Sequence, residues 1–157
     1  MDASPTRRLL IANGPNLNLL GSREPDVYGH HTLADVEQLA AETAAGLGWD
    51  VRCVQSNHEG VLIDAIHAAR SDCAGIVINP AGLTHTSVAL RDALSGVGLP
   101  VAEVHLSNVH RRERFRHHSY VSPIAELVIT GAGINGYRYA IQQLIGVVSA
   151  GGGQRRH

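Results

Sequence analysis

Five short runs rich in apolar residues punctuate the chain, at 9–13, 50–55, 75–79, 101–105 and 126–130. Most are bounded by turn formers such as Asn13-Gly14-Pro15, Asn79-Pro80 and Thr130-Gly131. Short apolar runs punctuated in this way read as buried strands. Between them the period changes. Apolar residues recur three and four apart over 32–47, 60–71, 84–96 and 137–149, for example Tyr137, Ala140, Ile141, Leu144 and Ile145. That spacing puts one apolar stripe on a helix. The connection between the fourth and fifth strands has no such period and is rich in Arg and His. Strands and helices alternating in this order predict an α/β fold, a flavodoxin-like doubly wound sheet of five parallel strands in the order 2-1-3-4-5, in a single domain.

This architecture also says where to look for chemistry. In open α/β sheets, ligands bind beyond the carboxyl ends of the strands, where the strand order reverses. The residues at that edge are Asn13 to Asn16, Asn79 to Ala81, and Glu103 to Ser107. The connection after the first strand, GPNLNLLGSREPDVYG at 14–29, is long for a compact domain, and such loops are typically lids, binding loops or disorder. It carries Arg23 and Tyr28 five residues apart.

Composition narrows the picture. A chain of 157 residues with 44% apolar and 17% charged residues can bury one ordinary core. A formal net charge of −1 gives no global case for nucleic acid or an anionic membrane. No stretch is apolar enough for a membrane span or a signal peptide, so a cytoplasmic protein is expected, with flexible tails at 1–7 and 150–157. All 13 basic residues other than His are Arg. Without Lys, neither Schiff-base chemistry nor a Walker A phosphate loop is available. Cys53 and Cys73 lie in apolar runs and read as buried free thiols.

The candidate chemistry gathers at the same edge. Glu103 and His105 are two apart on a strand and so share a face. A carboxylate beside an imidazole fixes its tautomer and raises its basicity, which suits a general acid, although a structural ion pair fits the triplet too. Tyr28 acts as a base only as phenolate; bringing it from a pKa near 10 to about 7 takes ~4 kcal/mol, which a guanidinium such as Arg23 can largely supply. Taken from the loop alone, the pair also fits solvated residues. Asn16 and Asn79 are either neutral donors for a developing enolate or simply turn formers. His85 follows the third strand, and Asp92 lies seven residues on, on the same expected helix. The run from His105 to His118, including Ser107, Arg112 and Arg116, is dense in Arg and suits a carboxylate or phosphate. Metal ligation is not expected, because the His runs lack carboxylate or Cys at ligand spacing. Gly131-Ala-Gly133-Ile-Asn-Gly136 matches a dinucleotide fingerprint in form, yet no acidic residue or further strand follows it, so a tight strand-to-helix turn is the better reading. An acid, a candidate base, neutral donors and an anion grip together suit proton abstraction beside a carbonyl and loss of a protonated leaving group.

These residues resemble a known family. Asn13-Gly-Pro-Asn-Leu-Asn-Leu-Leu-Gly21 with Arg23, Pro25 and Tyr28-Gly29 looks like the start of the type II 3-dehydroquinate dehydratases. Gln55-Ser-Asn-His-Glu-Gly60, Ile78-Asn-Pro-Ala81, Thr84-His-Thr-Ser87, Glu103-Val-His-Leu-Ser-Asn108 and Phe115-Arg-His-His-Ser-Tyr120 continue the match in order, over roughly residues 9–144. The resemblance implies a flavodoxin-like fold, catalysis without a cofactor, and a homododecamer built as a tetramer of trimers. It also implies the reversible dehydration of 3-dehydroquinate to 3-dehydroshikimate, in the shikimate pathway of aromatic amino-acid biosynthesis. Carried over by position, Tyr28 would take the proton beside the ketone, Arg23 would depress its pKa, and Asn16 would help hold the water that stabilises the enolate. His105, oriented by Glu103, would protonate the departing hydroxyl. Asn79, His85, Leu106, Ser107, Arg112 and Arg116 match the substrate-binding set, and Asp92 matches a residue contributed by a neighbouring subunit. The long loop would be a lid. The competing reading is a flavodoxin-like module that binds an anionic metabolite without turning it over.

Overall fold

The computed structural model describes residues 4–22 and 24–151, with Tyr28 described in its backbone only. Five strands, β1 (Arg8–Asn13), β2 (Asp50–Gln55), β3 (Gly75–Asn79), β4 (Val101–His105) and β5 (Leu127–Thr130), form one sheet in the order β2-β1-β3-β4-β5. Every pairing is parallel. Alternation along β1 shows why the runs are apolar on both sides. Leu9 and Ile11 enter one core cluster with Val77, Tyr137 and Ile141, whereas Leu10 and Ala12 enter the opposite one with Ile66, Ile78 and Leu90. Side chains along a strand alternate between faces, so a strand covered on both faces must be apolar at every position.

Helices α2 (Leu33–Ala45) and α5 (Asn135–Ser149) cover the first face, and α3 (Glu59–Asp72) and α4 (Val88–Val97) cover the second. Helix α2 opens on a capping box in which Thr32 and Asp35 satisfy each other's backbone amides.

Two local expectations change. The helix foreseen over 84–96 is a 3-10 turn at Ala81–His85 followed by α4, which starts at Val88. Ser87 makes the break, its Oγ accepting from the Leu90 amide at 2.9 Å as an N-cap. His85 and Asp92 therefore sit on different elements. The loop at 14–29 also holds more structure than its composition suggests: a 3-10 turn at Leu17–Leu19 and a single helical turn, α1 (Pro25–Tyr28), opened by a proline at its first position. Leu17 and Leu20 are buried and anchor the loop's first half in the core. Both cysteines are free, as expected, but only Cys73 is fully buried, with Cys53 half-buried. Of the expected tails, residues 4–7 are exposed, and Arg7 ties back by accepting the Asp50 amide at 3.0 Å. Residues 1–3 and 152–157 lie outside those described.

Candidate active site

The parallel register lines up the chemistry. Asn13 pairs with Asn79 across β1 and β3, Ile78 with Glu103 across β3 and β4, and His105 with Thr130 across β4 and β5. The ends of β1 and β3 lie against each other at Gly14, whose amide donates to the Asn79 carbonyl at 2.8 Å. A Cβ on Gly14 would stand 2.4 Å from the Pro80 carbonyl oxygen, so no side chain fits there. Above this seam lies a crevice of about 290 Å³ lined by Asn16, Asn79, His85, His105, Leu106, Ser107, Arg112 and Arg116. The structure thus brings together the expected residues of four separate segments. Asp92 is exposed on α4 and does not line the crevice. Arg23 and the Tyr28 side chain lie outside the described residues. Helix α1, which ends at Tyr28, borders a neighbouring hollow that shares Leu106, Ser107 and Arg112 with the crevice.

At the crevice floor, His105 Nε2 lies 2.6 Å from Glu103 Oε2, and both side chains are buried. Ser122 Oγ donates to the other carboxylate oxygen at 2.8 Å, and Ser119 Oγ at 3.1 Å. Burial, the largest single influence on Glu103, opposes its ionisation. The hydrogen bond and charge of His105 and the two hydroxyls together outweigh it, so the carboxyl is held below its usual range. An ionised carboxylate can only accept, so Nε2 carries a proton in either charge state of the ring. Nδ1 is then the ring nitrogen not committed to Glu103. Ser119 has one proton and directs it to Glu103, so Thr84, whose Oγ1 is 2.6 Å away, donates to Ser119. The backbone amides of Val121 and Ser122 also donate to Ser119, which ties segment 119–122 to the acid pair.

His85 has the opposite character. Its Nδ1 lies 2.7 Å from the His118 carbonyl and must carry the proton there. Burial lowers its pKa, the bond to His118 opposes that, and His105 and Arg116 push it lower still. A neutral His85 offers Nε2 as an acceptor. The cationic side of the crevice comes from Arg112 and Arg116. Arg112 Nη1 is 3.5 Å from Ser107 Oγ, and its Nη2 is 4.0 Å from Glu24 on the long loop. Arg116 pairs with Glu113 at 2.6 Å and stacks 4.9 Å above the Phe115 ring. Asn16 adopts a left-handed φ of 70°, with its amide donating to Asn57 Oδ1 at 2.9 Å.

The glycine motif serves the frame. Gly131 and Gly133 have positive φ and donate their amides to the carbonyls of His105 and Leu106 at 3.2 and 3.0 Å. A Cβ on Gly136 would lie 3.2 Å from Val104, so α5 packs closely on β4. Among the described residues, no group of three or more His, Cys, Asp or Glu is placed to hold a metal ion. Ser119, Ser122 and Thr84, which hold the Glu103 carboxylate directly or through one another, escape sequence reasoning as site residues. The first two follow an Arg- and His-rich stretch with no period, where only Ser119 falls within a quoted run, Phe115-Arg-His-His-Ser-Tyr120.

Fold and site define a flavodoxin-like α/β protein with a buried carboxylate–imidazole pair at its topological switch point and two arginines along one side of the crevice. The chain belongs to the class II dehydroquinase family, whose model matches residues 7–145. It is 61% identical over 137 residues to a protein named 3-dehydroquinate dehydratase from Corynebacterium glutamicum, covering 87% of this chain and 94% of that one. It is 60% identical over 143 residues to "Catabolic 3-dehydroquinase 2" of Aspergillus flavus, covering 88% of this chain and 95% of that one. Among solved structures it is similar to the type II dehydroquinase of Butyrivibrio crossotus, with a TM-score of 0.87 and 44% identity over 89% of this chain and 98% of that one. The type II dehydroquinase of Propionibacterium acnes gives a TM-score of 0.85 at 41% identity, over 90% and 98% of the two chains.

Proposed function

We propose that the crevice is the active site of a hydro-lyase that reversibly removes water from 3-dehydroquinate, giving 3-dehydroshikimate through an enolate. This is the shikimate-pathway reaction that the family supports. The observation that carries the assignment of the acid is the His105–Glu103 pair, with Nε2 locked and Nδ1 left to exchange a proton at the crevice. Tyr28, as phenolate beside Arg23, takes the proton from the carbon next to the ketone. The electron pair moves into the enolate, whose charge is met by a water held by Asn16. As the enolate collapses, the C–O bond breaks and His105 delivers its proton to the departing hydroxyl, which leaves as water. The Leu106 and Ser107 amides, with Arg112 and Arg116, hold the substrate carboxylate. Asn79 and the neutral His85 receive its hydroxyl groups. No step calls for a cofactor.

Asp92, exposed and remote from its own crevice, reaches the site of a neighbouring copy in a homododecamer built from trimers. The enzyme works in the cytoplasm; no helix among the described residues is long and apolar enough to cross a membrane. The test is to add 3-dehydroquinate to protein freed of metals and cofactors and follow the ultraviolet absorbance of the conjugated enone. The wild type turns over, and Tyr28→Phe and His105→Ala each lose about 10²–10⁴-fold in kcat, the usual worth of a positioned acid or base. An inactive wild type that is folded and assembled would reduce the crevice to a binding site for an anionic metabolite.

A further inference from the structure

Tyr137 is fully buried near the start of α5, on the face of the sheet beneath the crevice. It carries a hydroxyl where a phenyl ring alone would fill the same space. That hydroxyl sits between two asparagines distant in sequence. Asn79 Nδ2 donates to it at 3.0 Å, and it donates to Asn13 Oδ1 at 2.5 Å.

The direction of this relay is forced. The Ala81 amide, 3.1 Å from the Asn79 side chain, can only donate, so the atom facing it is Oδ1. The other atom of that amide is therefore Nδ2, a donor only, and the Tyr137 oxygen must accept from it. The phenol proton is left for Asn13, which must present Oδ1. The reverse relay would set the Asn79 amino group against the Ala81 amide, donor against donor. One consequence is visible elsewhere: Asn13 Nδ2 is buried with no hydrogen-bond partner among the described residues. A buried amino group without a partner is costly, and its presence is what a relay running in this direction produces. Burial raises the Tyr137 pKa, so its proton stays in place.

We propose that Tyr137 is a positioning residue that fixes the polarity of Asn79, so that this asparagine offers the crevice an N–H donor and recognises only an acceptor oxygen of the substrate. Asn79 has two N–H groups, of which one is committed to Tyr137 and the other remains for the crevice that Asn79 lines. The proposal rests on Asn79 contacting the substrate.

The test is a double-mutant cycle of Tyr137→Phe and Asn79→Ala, with kcat and KM for 3-dehydroquinate measured for all four proteins. Tyr137→Phe lowers kcat/KM by roughly five- to tenfold, the worth of one neutral hydrogen bond, and lowers it no further once Asn79 is alanine. The same loss in both backgrounds would make Tyr137 a packing residue and overturn the proposal. An Asn79→Ala enzyme equal to wild type would overturn the substrate contact on which the proposal depends. Neutron diffraction from deuterium-exchanged wild-type crystals decides the relay itself without any variant. A deuteron on Tyr137 directed to Asn13 supports it, and one directed to Asn79 refutes it.

Discussion

Ser122→Ala isolates one of the contacts that hold the Glu103 carboxylate. The hydroxyl removed stands 2.8 Å from Glu103 Oε1, while Ser119 at 3.1 Å and His105 at 2.6 Å on the other oxygen remain. Glu103 is 1% exposed, so water does not readily replace the lost donor. A hydrogen bond to a charged group is worth about 1.5–3 kcal/mol, and with two partners left the lower end applies, about 1.5 kcal/mol. Without that donor the Glu103 carboxyl moves back up toward its ordinary range. The carboxyl sits below its ordinary value of 4.5 when folded, so its contribution to stability is complete above that value and is lost as the pH falls through the folded pKa. The difference between wild type and Ser122→Ala is therefore full at pH 7 and closes as the pH drops below about 4.5. Urea unfolding at one fixed protein concentration, repeated across that range, measures it. A difference of the same size at every pH would mean that Ser122 matters through packing, and no difference at pH 7 would remove it from the carboxylate's support.

Gly14→Ala would place a Cβ within 2.4 and 2.7 Å of the Pro80 carbonyl oxygen and carbon, both backbone atoms that cannot rotate away. A loss of about 1–3 kcal/mol in unfolding free energy is expected from overpacking, with a fall in kcat/KM as the ends of β1 and β3 separate; full stability and activity would contradict the seam described above. Burial raises both thiol pKa values to about 11, helped at Cys53 by the Glu37 charge. At pH 7.5 a disulfide reagent should label either cysteine some hundredfold more slowly than a free thiol, and complete labelling within minutes would show that the thiols are not shielded.

The site was legible in the sequence in proportion to how locally each part is built. Glu103 and His105 could be paired from the alternation of a strand, because two residues apart on β4 means one face. The placing of Asn79 and Ser107 followed from the rule that ligands meet the carboxyl ends of parallel strands. The apolar period runs through the break before α4 and hides it, although Ser87 ahead of a helical stretch is a cap signal. For Ser119, Ser122 and Thr84 no local pattern existed: they serve Glu103 from segments 16 to 19 residues away or through one another.

Hydrophobic period alone determined that this chain is a parallel sheet with helices on both faces, since fully buried strands and one-sided helices leave opposite marks on a sequence. That in turn determined the edge at which chemistry could occur. Which side chains meet there, and in what direction their protons run, was decided only in three dimensions. Tyr137 reaches Asn13 across 124 residues and Asn79 across 58, because α5 docks over the sheet beside β4. A periodicity records distances along one element. The donor and acceptor order of a buried network depends on which elements pack together, and a single backbone amide at Ala81 then sets the polarity of the whole chain of bonds.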